Sequence, residues 1–250
     1  MIRVGIVGGA GYTAGELIRL LIWHPHAQIT SVQSSSQQGR SVSDVHRDLI
    51  GEFDGCFVKE LDTEVDVIFI CAGHGRSRSW LSDQVFSSHV KIIDLSSDFR
   101  LIDAADGFIY GLPELNRSRI CAHNKIANPG CFATAIQLAL LPLAQKHLLK
   151  SEVHVHALTG STGAGQEPTP TTHFSWRNNN VSIYKPFVHQ HLDEIKQSLV
   201  QCQPNFDQVI NFLPIRGNFT RGIFASLYLS LDIDFDDVQE LFVNYYQSHP

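Results

Sequence analysis

The sequence predicts an α/β protein in which a parallel sheet is followed by a second, mixed α+β domain. Short apolar segments alternate with helical patterns in the first part, and VDVIFICA at residues 65–72 is typical of a strand buried on both faces. Later segments such as GIFASLYLSLDI alternate apolar and polar residues, as strands with one solvated face do. We therefore expect domains at residues 1–147 and 148–250.

The order of elements follows from the same patterns. In the first domain we expect strands at 2–7, 28–33, 65–72, 90–95 and 126–127, and helices at 13–24 and 77–88. A further helix starts near Cys131 and is expected to stop near Pro142, because proline breaks helices. In the second domain we expect strands at 152–160, 209–215 and 222–233, helices at 190–202 and 236–247, and a polar loop, SWRNNNVSIY, at 175–184.

Composition narrows the classes of function. A net charge of -6 argues against nucleic acid and anionic membranes as partners, and no apolar run approaches the ~18 residues that span a bilayer. The five cysteines are odd in number, widely spaced and without a CxxC pair, which disfavours a disulfide framework or a zinc site. The N-terminus lacks the layout of a signal peptide. We expect a cytoplasmic protein with no metal site.

A glycine-rich segment, GGAGYTAGEL at residues 8–17, lies between the first strand and the first helix. The pattern Gly9-x-Gly11-x-x-Ala14 fits a dinucleotide fingerprint of the Rossmann type, in which backbone N–H groups at a helix N-terminus receive the pyrophosphate. An ordinary glycine-rich turn is the alternative, but the strand and helix on either side favour nucleotide binding. The candidate cofactor residues in this segment are Gly8, Gly11, Tyr12, Thr13 and Ala14.

The end of the second strand indicates which dinucleotide is bound. NAD-binding proteins usually place a carboxylate there to hold the ribose hydroxyls, whereas this chain continues with SSSQQGR. The neutral Ser34 and Ser36, followed by Arg40, suit the additional phosphate of NADP better, although a solvated polar loop would read the same way. We therefore expect NADP as the cofactor.

The stretch IANPGCFATA at residues 126–135 places Cys131 behind a tight turn, at the mouth of a helix. The positive end of a helix stabilises a thiolate, and its N–H groups can receive an oxyanion. The alternative is a buried core cysteine, the interpretation given to the other four, and the local setting alone leaves the two readings even for Cys131.

Three later segments carry further candidates. TGSTGAG, with Ser161, Thr162 and Gly163, could form an anion-binding nest or simply a flexible loop. The segment HQHLDEI supplies His189 and His191, a candidate acid/base pair, although chance pairs are common among 13 histidines. In RGNFTRGIF, Arg221 suits bidentate binding of a substrate carboxylate or phosphate as well as it suits a surface ion pair.

Taken together, these segments resemble the N-acetyl-gamma-glutamyl-phosphate reductase family. The resemblance also includes DLSSDFRL at residues 94–101 and YGLPELNR at 110–117, and it extends over nearly the whole chain. It implies a Rossmann domain and a mixed domain like those of aspartate-semialdehyde and glyceraldehyde-3-phosphate dehydrogenases. The implied reaction, which belongs to arginine biosynthesis, converts N-acetyl-glutamyl 5-phosphate and NADPH into the 5-semialdehyde, NADP and phosphate through a thioester on the cysteine.

The resemblance also assigns roles. It implies Cys131 as the nucleophile, His191 as the acid/base, His189 as the residue that orients substrate, and Arg221 as the carboxylate ligand, with Ser161, Thr162 and Gly163 at the leaving phosphate. It implies a homodimer or homotetramer that acts on a small molecule. The N-acyl group stays open between acetyl, succinyl and carrier-linked forms.

Two departures from the family pattern lead to rival hypotheses. Ala14-Gly15 stands where Gly-Ala is common. The family normally continues for ~70 further residues, within ordinary domain-size variation, and these include a helix beside the nicotinamide. From this we expect an incomplete second sheet and cofactor floor, so a non-catalytic nucleotide-binding or assembly subunit is the alternative. A cysteine hydrolase or acyltransferase without nicotinamide is disfavoured by the N-terminal fingerprint.

Overall fold

The computed structural model describes residues 1–62 and 64–249, which form two compact units. The first unit comprises Met1–Gly111 and Ser118–Asn128, and the second comprises Leu112–Arg117 and the chain from Pro129 onward. The domain boundary predicted between residues 147 and 148 falls inside the second unit and stays a prediction. Within the described part of the chain, no helix combines the length and hydrophobicity required to cross a membrane.

The first unit contains a seven-stranded sheet whose neighbouring strands all run parallel. Across the sheet, the order is β3-β2-β1-β4-β5-β7-β6. The strands are β1 Ile2–Val7, β2 Ala27–Gln33, β3 Phe57–Val58, β4 Val67–Ile70, β5 Lys91–Asp94, β6 Ile109–Tyr110 and β7 Lys125–Ala127. The helices are α1 Tyr12–Ile22, α2 Val42–Val45 and α3 Ser77–Ser82, with α4 Pro113–Ala122 running from the second unit into the first. This is the doubly wound arrangement that the alternating pattern predicted.

Apolar side chains cover both faces of this sheet, as the continuous apolar strands require. One cluster is built around Ile6, Ile18 and Phe57, and the other around Ile68, Ile70 and Phe99. With both faces closed, the carboxyl ends of the strands are left to carry the loops that can bind a ligand.

Two elements of this unit are shorter than predicted. The strand predicted at 65–72 is confined to Val67–Ile70, because its ladder with β5 pairs only residues 67–70. The helix predicted at 77–88 ends at Ser82, because the chain turns back and the Phe86 ring stacks on Trp80, with ring centroids 5.8 Å apart. Residues six apart on a continuous helix could not stack in this way.

The second unit contains a mixed four-stranded sheet with the order β11-β8-β10-β9. Its strands are β8 Val153–Thr159, β9 Ser182–Ile183, β10 Ile210–Arg216 and β11 Ile223–Tyr228. β8 and β10 are parallel, and the two edge strands are antiparallel to them. The helices are α5 Cys131–Gln145, α6 Phe174–Arg177, α7 His191–Cys202 and α8 Phe235–Tyr246. The mixed second domain predicted from the strand texture is confirmed.

One face of this sheet packs against α5 and α7. Val153, Val155 and Ala157 alternate into a core shared with Phe132 and Leu199, whereas the histidines between them point outward. This alternation confirms the prediction of strands with one solvated face. The packing of α5 and α7 on this face also positions their N-termini, which are Cys131 and His191.

Two predictions for this unit were wrong. α5 does not stop near Pro142 but continues to Gln145, and the proline is buried inside it. Proline cannot donate to the carbonyl four residues earlier, that of Leu138, and the hydroxyl of Tyr246 donates to that carbonyl instead. The predicted loop at 175–184 contains regular secondary structure, namely most of α6 and all of β9.

Candidate active site

The glycine-rich segment forms a tight connection between β1 and α1. Gly8 has a φ of +74°, and a Cβ there would lie 2.6 Å from the Cys71 carbonyl oxygen. A Cβ on Gly9 would lie 2.2 Å from Val32 Cγ1. Gly11 is the N-cap residue of α1 and has no side chain that could accept from the N–H groups of the first turn. The result is a narrow backbone cradle of the kind that receives phosphate oxygens.

Two residues that the sequence analysis missed hold this cradle. Buried His46 donates from Nε2 to the Gly9 carbonyl at 2.8 Å, and a Cβ on Gly15 would lie 2.6 Å from its Nδ1 atom. Gln33, the last residue of β2, accepts from the Gly8 N–H through Oε1 at 3.4 Å. No local pattern marks His46, which lies 37 residues from Gly9. Gln33 could have been noticed as the neutral residue at the position where NAD-binding proteins often have a carboxylate.

The remaining predicted cofactor residues lie on or near this cradle. Ala14 is fully buried in the helix–sheet core, and Tyr12 and Thr13 on the first turn are exposed. Ser34 is buried with its Oγ 3.4 Å from that of Ser36.

Arg40 lies on the surface beyond the second strand. Its Nη1 donates to Gln37 Oε1 at 2.7 Å, and its Nε lies 4.0 Å from Asp44 Oδ2, with 55% of each side chain exposed. An exposed pair of this kind is weak, so the guanidinium can exchange its partner for a ligand phosphate at little cost.

In the second unit, Cys131 is the first residue of α5 and its side chain is exposed. Gly130 precedes it with extended backbone angles, φ −66° and ψ 148°. The Gly130 N–H donates to Glu194 Oε2 at 2.8 Å, and that carboxylate is only 3% exposed. A buried carboxylate from α7 therefore anchors the turn that presents the thiol.

The two predicted histidines lie together beside this turn. Their ring centroids are 4.6 Å apart, and both side chains are buried. His191 Nε2 lies 3.9 Å from Glu194 Oε1, and a Cβ on Gly130 would lie 2.4 Å from the same nitrogen. The His191 backbone N–H donates to His189 Nδ1 at 3.2 Å. The two rings lie together because His191 opens α7 two residues after His189.

Aromatic rings enclose His189 and perturb its protonation. The rings of Phe132, Tyr184 and Phe212 have centroids 5.4, 5.8 and 5.5 Å from that of His189. Burial lowers the pKa of His189 to about 4, with His191 and Lys185 adding to the decrease and Glu194 opposing it. The imidazole of His189 is therefore neutral at neutral pH.

The predicted phosphate loop and Arg221 lie side by side at one edge of the second sheet. β8 ends at Thr159, which pairs with Ile223 at the start of β11. The N–H groups of Ser161 and Thr162 donate to the Phe219 and Thr220 carbonyls at 2.9 and 3.1 Å, and Thr162 Oγ1 also donates to Thr220 at 2.7 Å. These bonds hold residues 161–163 against the segment that carries Arg221.

Glu194 is the residue of this site that the sequence analysis did not single out. Its signal was an acidic residue three positions after His191, on the first turn of the predicted helix, where carboxylates usually serve only the helix dipole. Among the described residues, no group of three or more His, Cys, Asp or Glu side chains is arranged to hold a metal ion.

Family models match both parts of the chain. Residues 3–123 match the semialdehyde dehydrogenase NAD-binding domain, and residues 131–250 match the semialdehyde dehydrogenase dimerisation domain. Together with the glycine cradle and the thiol at a helix N-terminus, these matches show that the chain is built from the two domains typical of semialdehyde dehydrogenases.

Curated relatives narrow the class. The N-acetyl-gamma-glutamyl-phosphate reductase of Parabacteroides distasonis is 54% identical over 250 residues, which is 100% of this chain and 78% of the relative. Its namesake from Flavobacterium johnsoniae is 53% identical over 254 aligned positions, with the same two shares. The chain therefore belongs to the N-acetyl-gamma-glutamyl-phosphate reductase family.

Solved structures show the same fold. Aspartate semialdehyde dehydrogenase II from Vibrio cholerae, complexed with ASA, superposes with a TM-score of 0.72 at 17% identity, covering 96% of this chain and 78% of that chain. The enzyme from Candida albicans, solved with NADP, has a TM-score of 0.70 at 16% identity, covering 96% of this chain and 75% of that one. At these identities, the likeness concerns the fold alone.

Proposed function

We propose that the protein catalyses the NADPH-dependent reduction of N-acetyl-glutamyl 5-phosphate to N-acetyl-glutamate 5-semialdehyde and phosphate through a thioester on Cys131. The observation that carries this proposal is the exposed thiol at the start of α5, next to the buried His189, His191 and Glu194. Relatives that bear the name of this activity are more than 50% identical over the whole chain.

Cys131 is suited to attack an acyl phosphate. The N-terminal end of α5 favours the thiolate, which is the nucleophilic form of cysteine. Its sulfur forms a bond to the acyl carbon while the carbon–oxygen bond to phosphate breaks, so a thioester and free phosphate result. The first-turn N–H groups of α5 can stabilise the negative charge that develops on the acyl oxygen.

The two histidines have different roles. His191 accepts the thiol proton and later donates it, and the Glu194 carboxylate at 3.9 Å stabilises the imidazolium formed in between. His189, whose pKa is about 4, is neutral at working pH and orients the substrate and the His191 backbone. We assign the leaving phosphate to residues 161–163, with the Ser161 hydroxyl as its donor because the Ser161 and Thr162 N–H groups already donate to carbonyls, and the substrate carboxylate to Arg221.

The first unit fits NADP. Gly8 and Gly11 leave room for the pyrophosphate at the N-terminus of α1, and a Cβ on Gly8 would fill the cradle's floor against Cys71. The strand that often ends in a carboxylate ends here in Gln33, followed by Ser34, which leaves Arg40 to pair with the additional phosphate. When bound, NADPH supplies the hydride that reduces the thioester carbonyl.

We also propose a homodimer or homotetramer assembled through the open face of the second sheet, in the cytoplasm. On β11, the large side chains of Phe224 and Tyr228 are 68% and 61% exposed in the single chain, as expected of a sheet face that a second copy covers. Sedimentation of the purified protein tests this, because a monomer at micromolar concentration would contradict it.

The activity is tested most simply in reverse, with the semialdehyde, phosphate and NADP. Native protein should form NADPH over repeated turnovers only when phosphate is present, and Cys131→Ala should abolish the reaction. Cys121→Ala, which removes another exposed thiol, is the matched control and should retain it. NADP should also be preferred to NAD. Binding of NADP without turnover by the native protein would favour the non-catalytic alternative.

A further inference from the structure

Two arginines of the second unit lie next to each other without a carboxylate. Arg177 is 5% exposed, and its Nη1 donates to the Arg216 carbonyl at 2.8 Å. Arg216 is half-buried at the end of β10. Among the described residues, neither guanidinium has an acidic partner within 4.0 Å, although ion pairs form elsewhere in the chain. Burial and the Arg216 charge both lower the pKa of Arg177.

Arg216 is connected to the region of Cys131 through Tyr184. Its guanidinium carbon lies 4.7 Å from the centroid of the Tyr184 ring, and that ring is 5.8 Å from His189 and 6.5 Å from Phe132, the neighbour of Cys131. Burial raises the pKa of Tyr184 to about 12; the Arg216 cation opposes this rise, and Cys131 adds to it. Tyr184 therefore lies within electrostatic reach of both the guanidinium and the thiol.

The hydrogen bonds of the pair differ in kind. Arg177 is bound to structural partners: besides the Arg216 carbonyl, its Nη2 donates to Ser182 Oγ at 3.0 Å. Its buried Nε has no partner in the described structure. Arg216 donates from Nη1 to the exposed Thr171 hydroxyl at 3.2 Å. Two neighbouring cations without a counter-charge repel each other, and an anion bound between them or beside them would remove that cost.

From this we propose that Arg216 binds an oxyanion of the substrate close to Cys131, and that Arg177 is its positioning residue. The proposal rests on the proposed function and adds a second cation to the one predicted, Arg221. Guanidinium forks bind carboxylate and phosphate alike, so the shared ligand chemistry is a substrate oxyanion, either the phosphate group or the carboxylate.

The first experiment does not need turnover. The anionic reagent iodoacetate and the neutral reagent iodoacetamide are each reacted with the protein, and the alkylation rate at Cys131 is followed by peptide mass spectrometry. A cation close to the thiol accelerates the anionic reagent selectively, so Arg216→Met should lower the iodoacetate-to-iodoacetamide rate ratio about five- to tenfold.

Two variants control this result. Lys196→Met removes an exposed cation from α7 and should leave the ratio unchanged. Arg216→Lys keeps the charge but loses the fork, and should preserve most of the ratio, which guards against misfolding of the methionine variant. An unchanged ratio in Arg216→Met, with a native unfolding midpoint, overturns the proposal.

The second experiment identifies the oxyanion through the reverse reaction. If Arg216→Lys raises the KM for phosphate about tenfold or more and leaves the KM for semialdehyde unchanged, Arg216 binds the phosphate. If it raises the KM for semialdehyde and leaves the KM for phosphate unchanged, Arg216 binds the carboxylate. Arg177→Lys should raise the same KM as Arg216→Lys while kcat stays near native. If neither KM changes, the proposal is overturned. If native protein has no reductase activity, the proposed function fails, but the alkylation ratio still decides whether Arg216 serves an anion.

Discussion

The hydroxyl of Tyr246 should stabilise the helix that presents Cys131. Pro142 lies inside α5 and removes the N–H that would donate to the Leu138 carbonyl. The Tyr246 hydroxyl, 108 positions later in the chain, donates to that carbonyl instead. Burial raises the pKa of Tyr246, so the phenol keeps its proton and remains a donor at neutral pH.

Tyr246→Phe removes the donor and keeps the ring. Because the partly buried Leu138 carbonyl then loses its partner, we expect unfolding free energy to fall by about 1–3 kcal/mol. Pro142→Ala would return an N–H to the helix, so Tyr246→Phe should cost less in that background. The double-mutant cycle should give a coupling energy of about 0.5–2 kcal/mol.

Urea unfolding followed by circular dichroism measures all four proteins of the cycle. Tyr245→Phe is the matched control, since its hydroxyl donates to the Glu114 carbonyl at 2.9 Å and has no link with Pro142. It should destabilise the protein to the same degree in both backgrounds. If Tyr246→Phe lowers the unfolding free energy by the same amount with and without Pro142→Ala, the Tyr246 hydroxyl does not compensate for the N–H that Pro142 lacks.

Two further predictions concern the site itself. In Gly130→Ala, the new Cβ would lie 2.4 Å from His191 Nε2 and 2.8 Å from Glu194 Oε1, so the imidazole ring must move. We expect kcat/KM to fall about 100-fold. A near-native kcat/KM would contradict the close packing of Gly130 against His191. For His189, the folded pKa of about 4 lies below the ordinary 6.5. Between these values the unfolded state binds the proton first, so stability is full above about pH 6.5 and falls towards pH 4. Relative to His189→Gln, native protein should lose on the order of 2–3 kcal/mol across that window, as measured by urea unfolding at both ends; parallel pH dependences would show that His189 is not held neutral.

Local signals were sufficient for most of the fold. The apolar runs at residues 2–7 and 91–94 are strands in the structure, and the Gly-rich segment after Val7 connects a strand to a helix as its spacing predicted. The turn before Cys131 could also be predicted from the sequence, because Asn128-Pro129-Gly130 disfavours both helix and strand. These features depend on residues within a few positions of one another.

The parts that could not be predicted depend on distant partners. Pro142 ends a helix by local rules, and only the hydroxyl of Tyr246 allows α5 to continue. Glu194 looks like an exposed helix-cap carboxylate until the fold places it on the Gly130 N–H, 64 positions away. Arg216 is one of two arginines in RGNFTRGIF, and only its packing on Tyr184 in the fold distinguishes it.

The formation of a thioester on Cys131 can be observed directly in the reverse reaction. Native protein is mixed with semialdehyde and NADP without phosphate, and NADPH is recorded at early times alongside the mass of the Cys131 peptide. We expect a burst of about one NADPH per active site and an acyl adduct on Cys131, which added phosphate then releases. A burst without the adduct, or an equal burst from Cys131→Ala, would contradict it.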